Sequence, residues 1–454
     1  MPGHRFSPSN LPPHLLPLTP EDSIMTSHTS AIRVAIIGGG VAGAVLLRGL
    51  LRHPHIAIDM YDSQQSFKEE DPGLELGPTT LAALRAVDPF LETCLDGAGA
   101  VYTPTDLRLA TGPQAGHRLD IDGHSIRGKY SVDRQAFLAE MLAGVPPRMV
   151  HPNTRVTSIV EASPGNGLML AFSDGTQKRY DVVIGADGVH GKTRAHVLGP
   201  SDPAHNPRPS GYWRLPINVP LGRARQLMGP EALDPRNPKQ LIWIGDGTMM
   251  QHNFLNGGND VQITTAATFD GTDEEFTWAK LFTPEEFANI FSQNSPDTCQ
   301  GMVKLVQSVY TVQIAGICQM QHVPSRTYAS KNACLVGDAA HGGLSLQGSA
   351  CDIAVEEALV LSTLLGRAQS KSAVPTALRA FDEVCRPRAE LVIRASFDIN
   401  LLLTGRAPGI GLDPVLLANT LRQKWDMIEN IDINAHCLKA MNSMDHQIVM
   451  GRGW

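Results

Sequence analysis

The chain has 454 residues, 42% of them hydrophobic, enough to bury a sizeable core and to divide into two domains. Its formal net charge of −7 and the lack of any Lys/Arg run or stripe exclude nucleic acid as an expected partner. No apolar run approaches the roughly 20 residues of a membrane span, and the seven cysteines include no C-x-x-C pair, so a cytoplasmic protein with free thiols is expected.

In chain order, residues 1–30 are rich in Pro, Ser and His and lack periodicity, and they are read as a disordered extension, with Met25 as an alternative start. Ile32 to Ile37 is a short β-branched run with the composition of a buried parallel strand. It feeds Gly38, Gly40 and Gly43, a G-x-G-x-x-G in which the glycines allow a tight turn, close approach of a pyrophosphate and close helix–strand packing. Ala42, Val45, Leu46, Gly49 and Leu50 then recur at helical spacing, so a helix N-terminus points at the phosphates. A second apolar strand, Ile56 to Tyr61, ends at Asp62, placed to accept hydrogen bonds from an adenosine ribose. Strand, glycines, helix, strand and acid in that order predict a dinucleotide site.

Beyond a polar loop through Asp71-Pro72-Gly73, helical spacing covers Leu74 to Leu95, with Thr79 or Thr80 as N-cap. Val101 to Ile126 reads as short strands, and Tyr130 to Arg134 opens another helix. Strand-like pieces at Arg155–Glu161 and Leu168–Ser173 flank the turn Ser163–Gly167, and Asp174-Gly175 starts a further hairpin. Asp181 to Gly188 is a second buried strand ending in a Gly/Asp turn, which brings Asp187 and Gly188 to the cofactor. Residues 31–200 are thus the first part of the dinucleotide domain. Strand signals dominate from Gly211 to Ala267, followed by an amphipathic helix near Pro284–Phe291, so residues 201–324 form a mainly antiparallel substrate domain. Residues 325–400 return to the first pattern: the strand Ala333–Val336 runs into Gly337 and Asp338, and Gly348-Ser349 leads into a long helix over Ala350–Leu365. Asp338 suits a polyol hydroxyl, the ribityl chain of a flavin, and the helix dipole beyond Gly348 suits negative charge on a reduced isoalloxazine. Residues 401–454 carry helical spacing without recognisable chemistry. The fold class expected is α/β, a Rossmann-type domain with an antiparallel substrate domain and C-terminal helices.

Val34–Gly43, Gly185-Ala186-Asp187-Gly188-Val189 through Arg194, and Val336 to His341 resemble the three motifs of class A flavin-dependent aromatic monooxygenases, salicylate-hydroxylase-like enzymes with the para-hydroxybenzoate hydroxylase fold. Less specifically, the resemblance runs from about residue 31 to 400: Arg134 matches a helix arginine that contacts FAD in the family, and Arg386-Pro387-Arg388-Ala389 matches an arginine-rich helix that closes the flavin domain. The resemblance implies bound FAD, transient NAD(P)H, reaction with O2, and transfer of one oxygen atom to an aromatic or polyketide-like small molecule, by hydroxylation or oxidative dearomatisation. A single G-x-G-x-x-G leaves NAD(P)H without a Rossmann domain of its own. The chain departs from the family at Ser345, which stands at a usual proline, at Gly191, which stands at a usual serine, and near His252-Asn253, where relatives often carry a tyrosine. These departures leave the FAD expectation in place and count against a simple phenol.

Arg214 matches an arginine facing the flavin in relatives and would hold a phenolate or carboxylate; Tyr212 and His252 are candidate proton acceptors. His341 is read as a packed motif histidine. Same-fold alternatives stay open: epoxidation, Baeyer–Villiger insertion, oxidase chemistry, or flavin binding without turnover. A homodimer is also left open.

Overall fold

The structure is a computed structural model, described over residues 31–65, 73–121, 128–163, 167–269, 278–291, 295–343, 346 and 348–451. The expected extension 1–30, Asp71-Pro72, Ile126, the turn residues 164–166, Ser345 and Gln347 lie outside the described residues. Among the described residues no helix is long and apolar enough to cross a membrane.

Three β-branched segments far apart in sequence become neighbours in a five-stranded parallel sheet. Ile32–Ile37 is central, paired in parallel with Val182–Gly185 on one side and Ile56–Tyr61 on the other. Ala333–Leu335 continues the sheet beyond Val182–Gly185, and Val150–His151 closes its other edge. Because register pairs Ile37 with both Gly185 and Tyr61, and Gly185 with Leu335, the strands finish level. Their following residues, Gly38, Ala186, Val336 and Asp62, therefore emerge along one carboxyl edge, where open α/β sheets bind ligands.

Helices cover this sheet. Val41–Leu51 crosses the long helix Ser349–Arg367 at Gly49, where an added Cβ would stand 2.6 Å from Ser362 Oγ. The 30-residue helix Val374–Leu403 packs alongside, and the C-terminal helices Pro414–Glu429 and Ile433–Val449 pack on it. Arg388 joins three of them. Its guanidinium bonds both Glu356 oxygens at 3.1 Å and the Ile428 carbonyl at 2.5 Å.

A seven-stranded sheet forms the second body. Arg208–Pro220, Asp260–Thr268, Thr248–Leu255 and Gln240–Ile244 run antiparallel in that spatial order. One face is apolar: Trp213 packs 4.8 Å from the Phe282 ring and 5.7 Å from Phe291, with the helices Pro284–Phe291 and Asp297–Val309 above it. The sheet also takes in Thr105–Leu109, parallel to Gln240–Ile244, so the expected boundary at residue 201 is crossed by a strand from the first body.

Local expectations need correction in two places. Lys129–Asp133 is a strand paired with Gly73–Leu76 and Val101–Thr103, and the helix begins only at Arg134. Pairing on both sides, with Gly73–Leu76 and Val101–Thr103, holds the segment as strand, and Asp133 then caps the helix by accepting from Ala136 N at 2.8 Å. The helical spacing from Leu74 to Leu95 likewise divides. Gly73–Leu76 is strand, Pro78–Val87 is a helix capped at Gly77 rather than at Thr79 or Thr80, and Asp88-Pro89 starts a second helix. Proline in each first turn lacks the N–H that would go unpaired there.

Arg194 ties the second and third strand ends together. It is 1% exposed, and its guanidinium donates to the carbonyls of Ala204 at 2.7 Å, Ala339 at 3.1 Å, Val323 at 3.2 Å and also Ala340. Truncating it strands several buried acceptors, so Arg194→Ala should lower unfolding free energy by roughly 3 kcal/mol or more. A denaturant midpoint equal to wild type would show that these bonds contribute nothing net.

Candidate active site

The three turns meet through backbone contact. Gly38 has φ +108°, and a Cβ there would lie 2.0 Å from the Ala186 carbonyl oxygen. At Gly43 a Cβ would lie 2.1 Å from the Gly38 carbonyl oxygen, so that position holds helix against strand. Gly40 begins the helix Val41–Leu51 with no side chain capping it, which leaves its first N–H groups for an anion. Asp62 braces this loop: Oδ2 accepts from Gly39 N and Oδ1 from Gln64 N, both at 2.7 Å. Each oxygen keeps a second lone pair, so ribose hydroxyls remain within its capacity. A cavity of about 280 Å³ is lined by Gly38, Gly40, Asp62, Asp187, Gly188 and Thr193, among others.

Asp187 is turned mostly inward. Its Oδ2 accepts from Thr193 N and Oγ1, each at 3.0 Å, and burial pushes its pKa up while these bonds pull it back. A Cβ on Gly191 would stand 2.3 Å from this carboxyl group, which accounts for glycine beside Asp187.

A second cavity, about 510 Å³, lies between the strand ends and the polar face of the seven-stranded sheet. Asp338, Gly348, Arg134 and Cys351 line one side; Arg214, Pro216, Gln251 and Gln262 line the other. Asp338 is exposed at the turn, while Gly337, with φ +59°, is held by its N–H donating to Glu357 Oε2 at 2.7 Å. The same Glu357 oxygen is 3.0 Å from His341 Nε2 in a site where both side chains are 1% exposed. Burial pushes the His341 pKa down, but the Glu357 charge and hydrogen bond outweigh it and the net shift is upward. Burial pushes the Arg134 pKa down, with Arg214 close enough to add to that effect.

The candidate proton acceptors do not share this cavity. His252 is 0% exposed and alternates with Gln251 and Asn253 on its strand, so its ring faces the apolar core near Phe254. Burial pushes its pKa down to about 4, and the Lys239 backbone offsets little of that. Tyr212 is 5% exposed and packs in the core of the first body, its hydroxyl against Thr404. Of the substrate-side candidates, Arg214 alone is among the cavity's lining residues.

Sequence reading missed the polar residues that do line it. Glu75, from the strand Gly73–Leu76, reaches the sheet: Oε1 accepts from Asn253 Nδ2 at 2.6 Å, Gln240 Nε2 at 2.7 Å and Gln251 Nε2 at 3.3 Å. Isolated amides and one carboxylate in an apparent helix give no motif. The available signal was strand alternation, which puts Gln251 and Asn253 opposite His252.

No protein-family model matches the chain. It is 29% identical over 379 residues, 82% of each chain, to 6-methylsalicylate 1-monooxygenase atA of Aspergillus terreus. It is 27% identical to the FAD-dependent monooxygenase elcH of Phaeosphaeria nodorum, over 94% of this chain and 88% of that one. Among solved structures, a salicylate hydroxylase substrate complex superposes with a TM-score of 0.76 at 22% identity, covering 91% of this chain and 98% of that one. The chain is a homologue of the salicylate-hydroxylase-like FAD-dependent monooxygenases. Its fold is theirs, including the C-terminal helices.

Two outcomes are expected of this monooxygenase homologue. Gly43→Ala drives a methyl into the Gly38 carbonyl, so it should abolish or severely weaken FAD retention on gel filtration, whereas unchanged flavin content would remove Gly43 from the packing argument. Because His341 has a raised pKa, its protonation contributes stability that is complete below the ordinary value of 6.5 and is lost as pH rises through the folded value. The excess stability of wild type over His341→Gln in urea should therefore shrink between pH 6 and 9; a constant gap would contradict the pairing with Glu357.

Proposed function

We propose that the chain is an FAD-dependent monooxygenase that uses NAD(P)H and O2 to oxygenate an aromatic or polyketide-like small molecule. The observation that carries this reading is the meeting of three glycine turns at one sheet edge, opening toward a cavity with Arg214 in its far wall. Homology to FAD-dependent monooxygenases supports it independently.

The residues suit FAD. The uncapped helix behind Gly40 and the Gly38–Gly40 loop offer backbone N–H groups to a pyrophosphate, and Asp62 offers carboxylate lone pairs to the adenosine ribose. Asp187 and Gly188 border the same cavity. Asp338 offers a carboxylate to the ribityl chain, and the helix Ser349–Arg367, uncapped by any side chain at Gly348, offers amide N–H groups where a reduced flavin carries negative charge. Arg134 adds a fixed positive charge to the same cavity. Bound FAD would supply the redox chemistry, taking electrons from NAD(P)H and passing one oxygen atom of O2 to the substrate. Leu74, Leu215, Pro216, Ile317 and Leu346 make the cavity partly apolar, which limits water near the reacting centre. Arg214 would hold a carboxylate or phenolate by a charge-assisted hydrogen bond. On this reading residues 31–200, apart from the strand Thr105–Leu109, and 325–400 make the flavin body, 201–324 with that strand make the substrate body, and the helices Pro414–Glu429 and Ile433–Val449 brace the former.

Purified protein should be yellow, release FAD on denaturation, and oxidise NADH or NADPH in air faster when hydroxybenzoates are added, with one 18O atom from 18O2 in the product. A colourless protein that cannot be reconstituted with FAD would end this reading. Arg214→Ala should keep FAD and raise KM about 10- to 100-fold, the loss expected for one charged hydrogen bond; an unchanged KM would remove Arg214 as the anchor.

A further inference from the structure

We propose that Glu75 is the substrate-selecting acceptor of the cavity: one carboxylate oxygen is locked to the sheet, and the other receives an O–H or N–H donor on the aromatic substrate. The substrate class is thereby narrowed to rings that carry such a donor together with the anionic or carbonyl group taken by Arg214. The inference rests on the oxygenase reading of this cavity.

Glu75 is oriented by its partners. Thr105 Oγ1 donates to Gln240 Oε1 at 2.7 Å, which fixes that amide and turns its Nε2 onto Glu75 Oε1. Asn253 and Gln251 add their amide N–H groups to the same oxygen. Three donors on Oε1 contrast with none on Oε2 among the described residues. Oε2 lies near the start of the helix Ser349–Arg367, where a Cβ on Gly348 would stand 3.9 Å from it. Glu75, Gly348, Arg134, Arg214 and Asp338 all line the one cavity.

A second observation points to a polar ligand. Gln251 and Gln262 also line the cavity and are 4% and 3% exposed, yet Gln251 Oε1 and Gln262 Nε2 make no hydrogen bond among the described residues. Buried polar atoms normally find partners, so a bound molecule with its own polar edge completes this wall. A role confined to clamping Gly73–Leu76 onto the sheet would use Oε1 alone. An ionised carboxylate accepts and never donates; it therefore discriminates sharply against a ligand whose donor has been removed, because the site's acceptor is left dry and unpaired.

Glu75→Gln tests this with little change of shape. The carbonyl of the introduced side chain can keep the three sheet amides, which places its NH2 where Oε2 stood and turns an acceptor into a donor. The FAD-loaded enzyme is titrated with 3- and 4-hydroxybenzoate and with the matching methoxybenzoates, following the flavin absorbance difference spectrum. Wild type should bind each hydroxy compound at least 10-fold more tightly than its methyl ether, and Glu75→Gln should erase or invert that preference while retaining FAD. If Glu75→Gln loses FAD, Glu75→Asp, which keeps the charge but retracts it, is titrated with the same expectation of a diminished preference. Hydroxy and methoxy compounds binding wild type alike, undetectable binding of both included, would overturn the proposal, as would a preference unchanged in the variants. Failure of the oxygenase reading itself is distinct, because it would show as protein without flavin absorbance before any titration.

Discussion

The closest approach at any described glycine is backbone against backbone, where the Gly38 turn passes the Ala186 carbonyl. A Cβ at Gly38 would overlap that oxygen at 2.0 Å, and the next glycine of the motif to face a backbone, Gly43, overlaps Gly38 itself at 2.1 Å. Those two approaches set how close the first strand, its helix and the second strand can lie. The parallel register then passes the constraint outward: with Ile37 level with Gly185, and Gly185 level with Leu335, the third turn at Gly337-Asp338 has one position available. Polar ties hold the arrangement from behind. Arg194 spans the second and third turns, Glu357 holds the Gly337 N–H, and Asp62 holds the Gly39 N–H. Electrostatics and steric fit thus act on the same few backbone atoms.

The consequence is a division between a rigid cofactor edge and a chemically variable wall. Turn backbones at the edge are determined by close packing and tolerate little. The facing wall is a sheet surface whose opposite side is an ordinary apolar core, with Trp213, Phe282 and Phe291 in contact. Each strand residue turned toward the cavity can change without disturbing that core, because alternate side chains point to opposite faces. Arg214, Gln251 and Gln262 are such residues. The chemistry of that wall can therefore change while the edge stays fixed.

That division also explains what the sequence made legible. The cofactor edge was readable because its constraints are local: glycines at set spacing, a β-branched strand before them and an acid at the end of the next strand leave a pattern in about thirty residues. Asp338 and Gly348 were reached by the same logic. The short strand Lys129–Asp133 was hidden because its pairing partners, Gly73–Leu76 and Val101–Thr103, are distant, whereas the helix after it advertises its periodicity locally. Apparent helical spacing from Leu74 concealed a strand and a proline-started break for the same reason, and with them the direction of Glu75. The polar network around Glu75 is a tertiary product throughout: Thr105, Gln240, Gln251, Asn253 and Glu75 come from four strands.

One position shows how narrow the margin is. At His252-Asn253 chemical type points to the histidine as the proton acceptor. In a strand, one residue decides the face. His252 points into the apolar core, where burial holds its pKa near 4 and it stays neutral at physiological pH. Asn253, beside it, points to Glu75 at 2.6 Å. Chemical type alone favoured the histidine; pairing of Asn253 with Gln262 across the strands, and of His252 with Leu241 and Ile263, selects the asparagine. Register, which no single sequence segment records, therefore converts a proton-acceptor candidate into core packing and its neighbouring amide into a support of the cavity-lining Glu75.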